Sequence, residues 1–171
     1  MKRIFLSLFF LLSFVFSAFS EDRDSISVYI FLSETCPICK NQTLTLNKIY
    51  QEFNSKGISF TGLFPNQSSS TNETIQEFKG KYKIAFLLKK DDDQKITKQL
   101  SATITPQVFV IRNKTKEILY KGKVDNSFET IGKKRQVITA NYLTDVLNQV
   151  TENKSITIKE TQPVGCFISK K

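Results

Sequence analysis

The sequence predicts a single α/β domain whose mixed central sheet is flanked by helices. Two observations support this fold class. Runs rich in β-branched and aromatic residues alternate with segments of helical apolar spacing between residues 26 and 150, and the series closes with a hairpin and a helix. In addition, a dithiol motif, Cys36-Pro37-Ile38-Cys39, lies where the first apolar strand gives way to the first helix.

The individual elements follow from these patterns and from their end signals. Apolar, β-rich runs predict strands at residues 26–32, 58–64, 84–88, 107–112 and 117–124, and the last two form a hairpin. Helical spacing predicts helices at residues 38–55, 73–82, 91–100 and 139–150. Gly57 ends the first of these, and Asp91-Asp92-Asp93 begins the third, where acids complement the helix dipole. The candidate core positions of the first helix are Leu44, Leu46, Ile49, Tyr50 and Phe53.

The spacing of Cys36 and Cys39 suits thiol–disulfide exchange. That reaction needs one thiolate to attack and a second thiol close enough to resolve the mixed disulfide. Pro37 fits the first helical position, because the N–H that proline lacks needs no partner there. A helix N-terminus favours a thiolate. Cys36 is therefore the expected nucleophile, and Cys39, one turn inside the helix, is the expected resolving thiol.

Other uses of the pair are weaker alternatives. A permanent structural disulfide remains open. A structural zinc site needs four Cys or His ligands, whereas the chain has three Cys and no His. A c-type haem requires CxxCH, and Lys40 stands at the His position. We therefore expect no metal, and the dithiol needs no bound cofactor.

Residues 1–20 have the pattern of a secretory signal peptide. Lys2 and Arg3 precede a 16-residue run rich in Leu and Phe, and Ala18-Phe19-Ser20 is a plausible cleavage site. The run is shorter than the about 20 residues of a membrane span, although an uncleaved anchor is the alternative. We expect an exported protein of the bacterial envelope, with a domain at 21–150 and a tail at 151–171. Export places the cysteines in an oxidising compartment.

The positive charge of the chain does not by itself indicate a nucleic-acid site. Without Lys2 and Arg3, 23 basic and 16 acidic residues remain, a net charge of +7. The lysines are scattered, and the only tight basic run is Lys133-Lys134-Arg135, so a solvated surface is favoured. The expected partners are protein thiols or disulfides and a membrane or soluble redox protein, with the chain itself a monomer.

A dithiol at a strand-to-helix turn and Thr105-Pro106 before a later strand make this chain resemble the thioredoxin superfamily. Pro106 lies 70 positions after Cys36. This separation is similar to that of exported TlpA/ResA-like and peroxiredoxin-like redoxins, whose extra helix–strand unit would here be residues 73–88. Residues 118–125 and the ending Gly165-Cys166 are also similar to exported peroxiredoxin-like proteins.

This resemblance implies a thioredoxin-like fold in which Pro106 is cis and lies against the dithiol. It also implies that the backbone of Thr105 is open to pair with an extended partner peptide, as in strand addition. The alternative is an ordinary trans proline at the start of a strand.

The chain departs from its relatives at several positions. The strand before the dithiol lacks the acid that thioredoxins commonly use as a proton relay. Ser33 stands where peroxiredoxins carry Thr, and their catalytic Arg has two candidates well inside the mature chain, Arg112 and Arg135. Glu34, close to Cys36, is expected to raise the pKa of that thiol.

Cys166 is the odd cysteine, and three roles are open to it. It is a resolving or regulatory thiol that reaches the active site, an intermolecular disulfide partner, or a small buried hydrophobe. Its apolar neighbours Val164, Phe167 and Ile168 predict that this end of the tail docks on the domain. The leading function is an exported thiol–disulfide oxidoreductase. The rivals are a thiol peroxidase acting through Cys36 and a redox-inert binding module.

Overall fold

The computed structural model describes residues 25–66 and 68–169. The predicted signal peptide lies outside this range. The helices are α1 Pro37–Phe53, α2 Asn72–Lys81, α3 Lys95–Leu100 and α4 Tyr142–Thr151. The strands are β1 Ile26–Phe31, β2 Ile58–Phe64, β3 Leu87–Lys90, β4 Ile104–Thr105, β5 Gln107–Arg112, β6 Glu117–Gly122, β7 Phe128–Thr130, β8 Lys133–Lys134 and β9 Cys166–Phe167.

A five-stranded mixed sheet with strand order β3-β2-β1-β5-β6 forms the centre of the domain. β1 pairs in parallel with β2, and β2 pairs in parallel with β3. β5 runs antiparallel to both β1 and β6. The expected thioredoxin-like sheet is therefore confirmed, and the extra unit, α2 with β3, adds a strand at the edge beside β2.

Apolar side chains cover both faces of this sheet. The larger cluster joins one sheet face to buried residues of α1, α2 and α4, including Leu46, Phe78 and Leu147. The smaller cluster, on the other face, contains Phe31 and Phe109, whose rings meet edge to face at 5.6 Å. The larger cluster continues past the end of β1 to Leu32 and Cys36, so the turn that carries the dithiol begins from a well-packed strand.

The prediction for the first helix was wrong at one core position. Leu44 is 65% exposed, whereas Leu46, Ile49 and Phe53 are buried. Gln42 and Leu46 lie on the buried face of α1. Leu44 lies two positions from each of them. Two residues turn the helix by more than half a revolution, so the Leu44 side chain points away from the buried face.

The third strand begins later than predicted, at Leu87 rather than at residue 84. Ile84 and Phe86 are buried, but the chain here closes the end of α2, with Ile84 N–H donating to the Lys79 carbonyl at 3.0 Å. The Asn47 side chain bonds to the backbone of Ala85 and of the two residues at 82 and 83. These bonds occupy backbone groups that a longer strand would need.

The third helix begins at Lys95, four residues later than predicted, so the acidic run precedes it rather than starting it. Asp91 is buried, and its carboxylate accepts bonds from Ile96 N–H at 3.0 Å and Thr97 N–H at 2.8 Å. A 3-10 turn, Asp92–Gln94, separates it from α3. The last helix likewise begins three residues later than predicted, at Tyr142.

Two further features lie after the hairpin. β7 and β8 form a separate two-stranded ribbon that the sequence did not predict, and it carries exposed Lys133 and Lys134. Arg135 pairs with Glu129 at 3.1 Å. Within residues 25–66 and 68–169, no helix is long and apolar enough to cross a membrane.

The tail follows the outer edge of the sheet before it reaches the dithiol. Lys121 N–H donates to the Lys159 carbonyl, and Thr161 N–H donates to the Lys121 carbonyl, each at 3.0 Å. The Thr161 hydroxyl lies 2.7 Å from the Tyr120 hydroxyl and accepts from Lys123 N–H at 2.9 Å. Gly122 permits this close passage, since it has a positive φ of 143° and a Cβ there would overlap Thr161.

Candidate active site

The dithiol lies at the N-terminus of the 17-residue helix α1. Cys36 is the N-cap residue, with φ −73° and ψ 118°, and Pro37 follows within the first turn of the helix. Cys36 N–H donates to the Ser33 carbonyl at 3.3 Å, which closes the turn after β1. The predicted strand–turn–helix setting is therefore present. Unpaired N–H groups at this helix end favour negative charge on the Cys36 sulfur.

The pKa of the Cys36 thiol is lowered from 9.0 to about 5. A hydrogen bond from the Cys39 thiol is the largest cause, burial opposes it, and the Cys166 thiol and the N–H groups of Cys39 and Cys166 add smaller contributions. Cys36 is therefore the thiolate of the site near neutral pH.

The Cys39 thiol has the opposite character. Its pKa is raised well above 9.0, first by burial and then by its hydrogen bond and charge interaction with Cys36. The side chain is completely buried. The pair thus consists of one ionised sulfur and one protonated sulfur that donates to it, which is the arrangement expected of a nucleophile and a resolving thiol.

Thr105 contacts both members of the dithiol. Its carbonyl oxygen lies 3.2 Å from Cys36 Sγ, which donates to it when protonated. A hydrogen bond of its side chain with Cys39 lowers the pKa of that thiol, although burial outweighs this effect. The Thr105-Pro106 bond is cis, in agreement with the resemblance. β1 and β5 pair with Phe31 opposite Gln107, which brings this segment to the end of β1.

Cys166 reaches the same site from the tail. β9 pairs antiparallel with β4, and Cys166 lies directly opposite Thr105. Burial raises the pKa of the Cys166 thiol to about 11, and its hydrogen bond with Cys36 and the charge of Cys36 contribute further. Of the three roles left open by the sequence, the structure thus favours a thiol that reaches the dithiol. The three sulfurs form one cluster, and Cys36 is fully shielded from solvent.

The side chains of Glu34 and Ser33, also singled out in the sequence, hydrogen bond to groups other than the dithiol. Glu34 accepts bonds from the Ser70 and Thr74 hydroxyls, each at 2.8 Å, and is not among the groups that shift the Cys36 pKa. That expectation was therefore wrong, because the carboxylate holds the loop before α2. Ser33 bonds to the Thr35 hydroxyl at 3.0 Å.

Each of the two candidate arginines forms an ion pair with a glutamate. Arg112 pairs with Ile26, at the far end of β1, and forms an ion pair with Glu117 at 3.5 Å. Five residues of strand, about 17 Å, separate that end of β1 from Phe31. The Arg135 guanidinium pairs with Glu129 at 3.1 Å, and its backbone N–H donates to the Ser127 carbonyl at 2.7 Å.

Sequence reasoning missed a buried polar group behind the dithiol. The Gln42 side-chain amide donates to Asp125 Oδ1 at 2.8 Å and to the Ser127 hydroxyl at 2.7 Å. These residues are buried, and among the described residues Asp125 Oδ2 has no hydrogen-bond partner. Gln42 and Asp125 line a small cleft with Ile38 and Pro106. The signal available in the sequence was a polar residue, Gln42, at a core-facing helix position.

No metal site accompanies the dithiol in the part of the chain that the structure describes. Within these ranges, no group of three or more His, Cys, Asp or Glu side chains is arranged to hold a metal ion.

Comparisons with known proteins agree with this geometry. An uncharacterized conserved protein from Geobacillus kaustophilus has 22% identity and a TM-score of 0.77, with 89% of this chain and 82% of that chain covered. A hypothetical protein from Sinorhizobium meliloti has 20% identity and a TM-score of 0.77, covering 87% and 81%. A secreted disulfide oxidoreductase from Mycobacterium tuberculosis has 17% identity and a TM-score of 0.52, covering 77% and 83%.

Likenesses at these identities establish the fold. No curated protein sequence matches the chain significantly. The family model for Redoxin matches residues 16–138, which include the dithiol, Thr105 and Pro106. Since this match spans well over half of the sequence, the chain belongs to the Redoxin family.

Proposed function

We propose that this redoxin is an exported thiol–disulfide oxidoreductase in which Cys36 attacks and Cys39 resolves. The observation that carries the proposal is the opposite ionisation of two hydrogen-bonded thiols at one helix N-terminus, with the pKa of Cys36 near 5 and that of Cys39 raised. Export is supported by the signal-peptide pattern of residues 1–20. The similarity to a secreted disulfide oxidoreductase is consistent with both parts.

The first step is attack by the Cys36 thiolate on a disulfide of the partner protein. A bond forms between Cys36 Sγ and one partner sulfur, the partner disulfide breaks, and its electron pair leaves on the second partner sulfur, which takes a proton. The product is a mixed disulfide. A Cys36 pKa near 5 keeps the nucleophile ionised at neutral pH without a separate base.

The second step is attack by Cys39 on Cys36 Sγ. Once Cys36 is bonded to the partner, its negative charge no longer raises the pKa of Cys39, so only burial opposes ionisation of that thiol. The Cys36–Cys39 disulfide forms, and the partner sulfur leaves with the electron pair and takes the proton that Cys39 releases. The partner gains two electrons, and the dithiol loses two.

Thr105 orients the partner in this proposal. Its carbonyl lies beside Cys36 Sγ, so an extended peptide paired with β4 would bring its own cysteine to the nucleophile. The reaction needs no bound cofactor. The partners are protein thiols or disulfides, and a membrane or soluble redox protein returns the electrons. The enzyme acts as a monomer.

Peroxidase chemistry has less support. Arg112 lies at the far end of β1, the Arg135 guanidinium is paired with Glu129, and Ser33 bonds to Thr35. Neither arginine therefore supplies a positive charge beside Cys36 that would stabilise a reacting peroxide.

Two variants of the chain test the proposal against a disulfide-bonded protein substrate such as insulin. Cys36→Ser should abolish reduction of the substrate. The double variant Cys39→Ser/Cys166→Ser, which keeps Cys36 as the sole thiol, should stall as a mixed disulfide visible by mass spectrometry. Substrate reduction that survives Cys36→Ser would overturn the proposal. So would a Cys36–Cys39 potential below about −300 mV, the range of structural disulfides.

A further inference from the structure

We propose that Cys166 is a third redox residue, and that β9 is a built-in partner strand whose thiol exchanges with the Cys36–Cys39 disulfide to form a Cys36–Cys166 disulfide. This inference rests on the proposed function, because it uses the same nucleophile. It extends that function by assigning chemistry to the tail.

The backbone of the tail occupies the strand position at which the proposed function places a partner peptide. Cys166 is paired with Thr105, and Ile168 N–H donates to the Thr103 carbonyl at 2.9 Å. A Cβ on Gly165 would overlap the Thr105 carbonyl. Gly165 thus allows an approach that a side chain would prevent, so the sequence fits this docked position closely.

The sulfur of Cys166 lies where a partner cysteine would have to lie. Its thiol and its N–H both hydrogen bond with Cys36 Sγ. Cys36 is completely buried, whereas Cys166 is half-buried. While β9 is docked, Cys166 and Cys39 are therefore the sulfurs available to Cys36.

Side chains on both sides of Cys166 hold the strand in place. Val164 packs against the larger core cluster, and Ile168 packs against the smaller one. The next residue, Ser169, donates from its N–H to Asn66 Oδ1 at 3.1 Å and accepts from the Gln94 side chain at 2.5 Å. Phe167, by contrast, is 80% exposed, which leaves the strand with one face on the protein and one in solvent.

The proposed exchange starts from the oxidised enzyme and needs no further oxidant. The Cys166 thiol loses its proton and attacks Cys36 Sγ, the Cys36–Cys166 bond forms, and the Cys36–Cys39 bond breaks. The electron pair goes to Cys39 Sγ, which takes up a proton. One disulfide and one thiol are present before and after the step, so the oxidation state is unchanged. In the oxidised enzyme Cys36 carries no charge, which removes the part of the Cys166 pKa elevation due to Cys36.

Mixed-disulfide trapping tests the inference. The Cys39→Ser variant of residues 21–171, treated with oxidised glutathione, should form an intramolecular Cys36–Cys166 disulfide. Trypsin cleaves after Lys40 and Lys159, so the two cysteines fall on separate peptides and the link is identified by mass. A tethered thiol acts at a high effective concentration and should displace glutathione from Cys36.

A matched pair of glycine variants in the same background tests the docked geometry. Gly165→Ala should lower the ratio of linked to glutathionylated protein by about tenfold or more, because it lifts β9 and lowers that effective concentration. Gly80→Ala, where an added Cβ meets nothing within 4 Å, should leave the ratio unchanged. Ile168→Pro removes the N–H that bonds to Thr103 and should act like Gly165→Ala. Circular dichroism verifies that each variant is folded.

The outcomes separate this inference from the proposed function. A Cys39→Ser protein that yields only glutathionylated Cys36 or disulfide-linked dimers overturns the role of Cys166, as does a link undiminished in both strand-lifting variants. In either case, a Cys36–Cys39 disulfide that still forms in Cys166→Ser leaves the proposed function intact. If Cys166→Ser forms no such disulfide, the proposed function itself fails.

Discussion

Two thiols contact the Cys36 sulfur, and they reach it in different ways. Cys39 is placed by local structure, three residues along the same helix, and is fully buried. Cys166 is placed by strand pairing between segments 61 residues apart, Thr105 and Cys166, and is only half-buried. The first thiol is fixed as long as the helix exists. The second depends on the pairing of a two-residue strand, and we expect so short a contact to open without unfolding the domain.

The comparison suggests a division of labour between the two neighbours of one nucleophile. The helical thiol contributes the largest lowering of the Cys36 pKa, and the tail thiol contributes less. Cys36 is shielded from solvent in the structure with β9 docked, so we expect the tail to control access to it. We therefore expect Cys39 mainly to set the ionisation of Cys36, and the tail mainly to set when Cys36 can be reached.

The largest expected effect is on the accessibility of the Cys36 sulfur to an alkylating reagent. In the reduced protein, Gly165→Ala should speed alkylation of Cys36 by iodoacetamide by about ten- to a hundredfold, the factor for about 1.4 to 2.8 kcal/mol of lost docking energy. Labelling kinetics read by mass spectrometry measure the change, with Gly80→Ala as the control. Equal rates in the two variants would mean that β9 does not limit access to Cys36.

The second contrast between the two neighbouring thiols is their effect on the pKa of Cys36. Both Cys39→Ala and Cys166→Ala remove a donor to the Cys36 thiolate, so each should raise the pKa of Cys36 above about 5, and Cys39→Ala should raise it more. The pH dependence of thiolate absorbance measures both shifts. A larger rise in Cys166→Ala would reverse the assigned roles.

The same pKa shift has a consequence for stability. Because the Cys36 pKa falls from 9.0 to about 5 on folding, the thiolate stabilises the reduced fold above pH 9, and this contribution is lost as the pH falls towards 5. Cys39→Ala should weaken this dependence. Chemical denaturation of the reduced proteins across that pH range measures the difference.

The smallest effect concerns the part of the tail that does not touch the dithiol. Thr161→Val removes the hydroxyl that bonds to Tyr120 and Lys123, and should lower the free energy of unfolding by about 1 to 2 kcal/mol. Thr157→Val, which removes a solvent-exposed hydrogen bond with Gln149, should change it by less than about 0.5 kcal/mol. Cys36 alkylation should be unaffected by both. Faster alkylation in Thr161→Val would show that the tail moves as one unit.

The sequence predicted those residues of the candidate site that are close together in the chain. It did not predict every contact between distant segments. Cys36, Pro37 and Cys39 lie where the strand-to-helix pattern placed them, because their positions depend on neighbours in sequence. The docking of the tail was predicted from three apolar residues, of which Val164 and Ile168 pack on the domain whereas Phe167 is exposed. The pairing of the tail with Thr105 was not predicted. That pairing is made by backbone groups. Because nearly all residue types carry the same backbone groups, the amino-acid sequence does not reveal which segments pair.

The errors in the fold have a similar origin. Leu44 looked like a core residue because it is apolar, but only the three-dimensional phase of α1 decides which side it faces. Residues 84–86 looked like a strand, but the Asn47 side chain holds their backbone instead. Asp125 was not singled out because the partner that keeps it buried, Gln42, lies 83 positions away.

The passage of the tail over Gly122 has a consequence for solubility. The edge of a sheet is a template on which other chains can add strands and aggregate. Residues 159–161 cover part of the outer edge of β6, and the bonds of Thr161 hold them there. Residues 159–161 precede the segment that carries Cys166. We therefore expect that this later segment can leave the dithiol while residues 159–161 still cover the edge of β6 against neighbouring proteins.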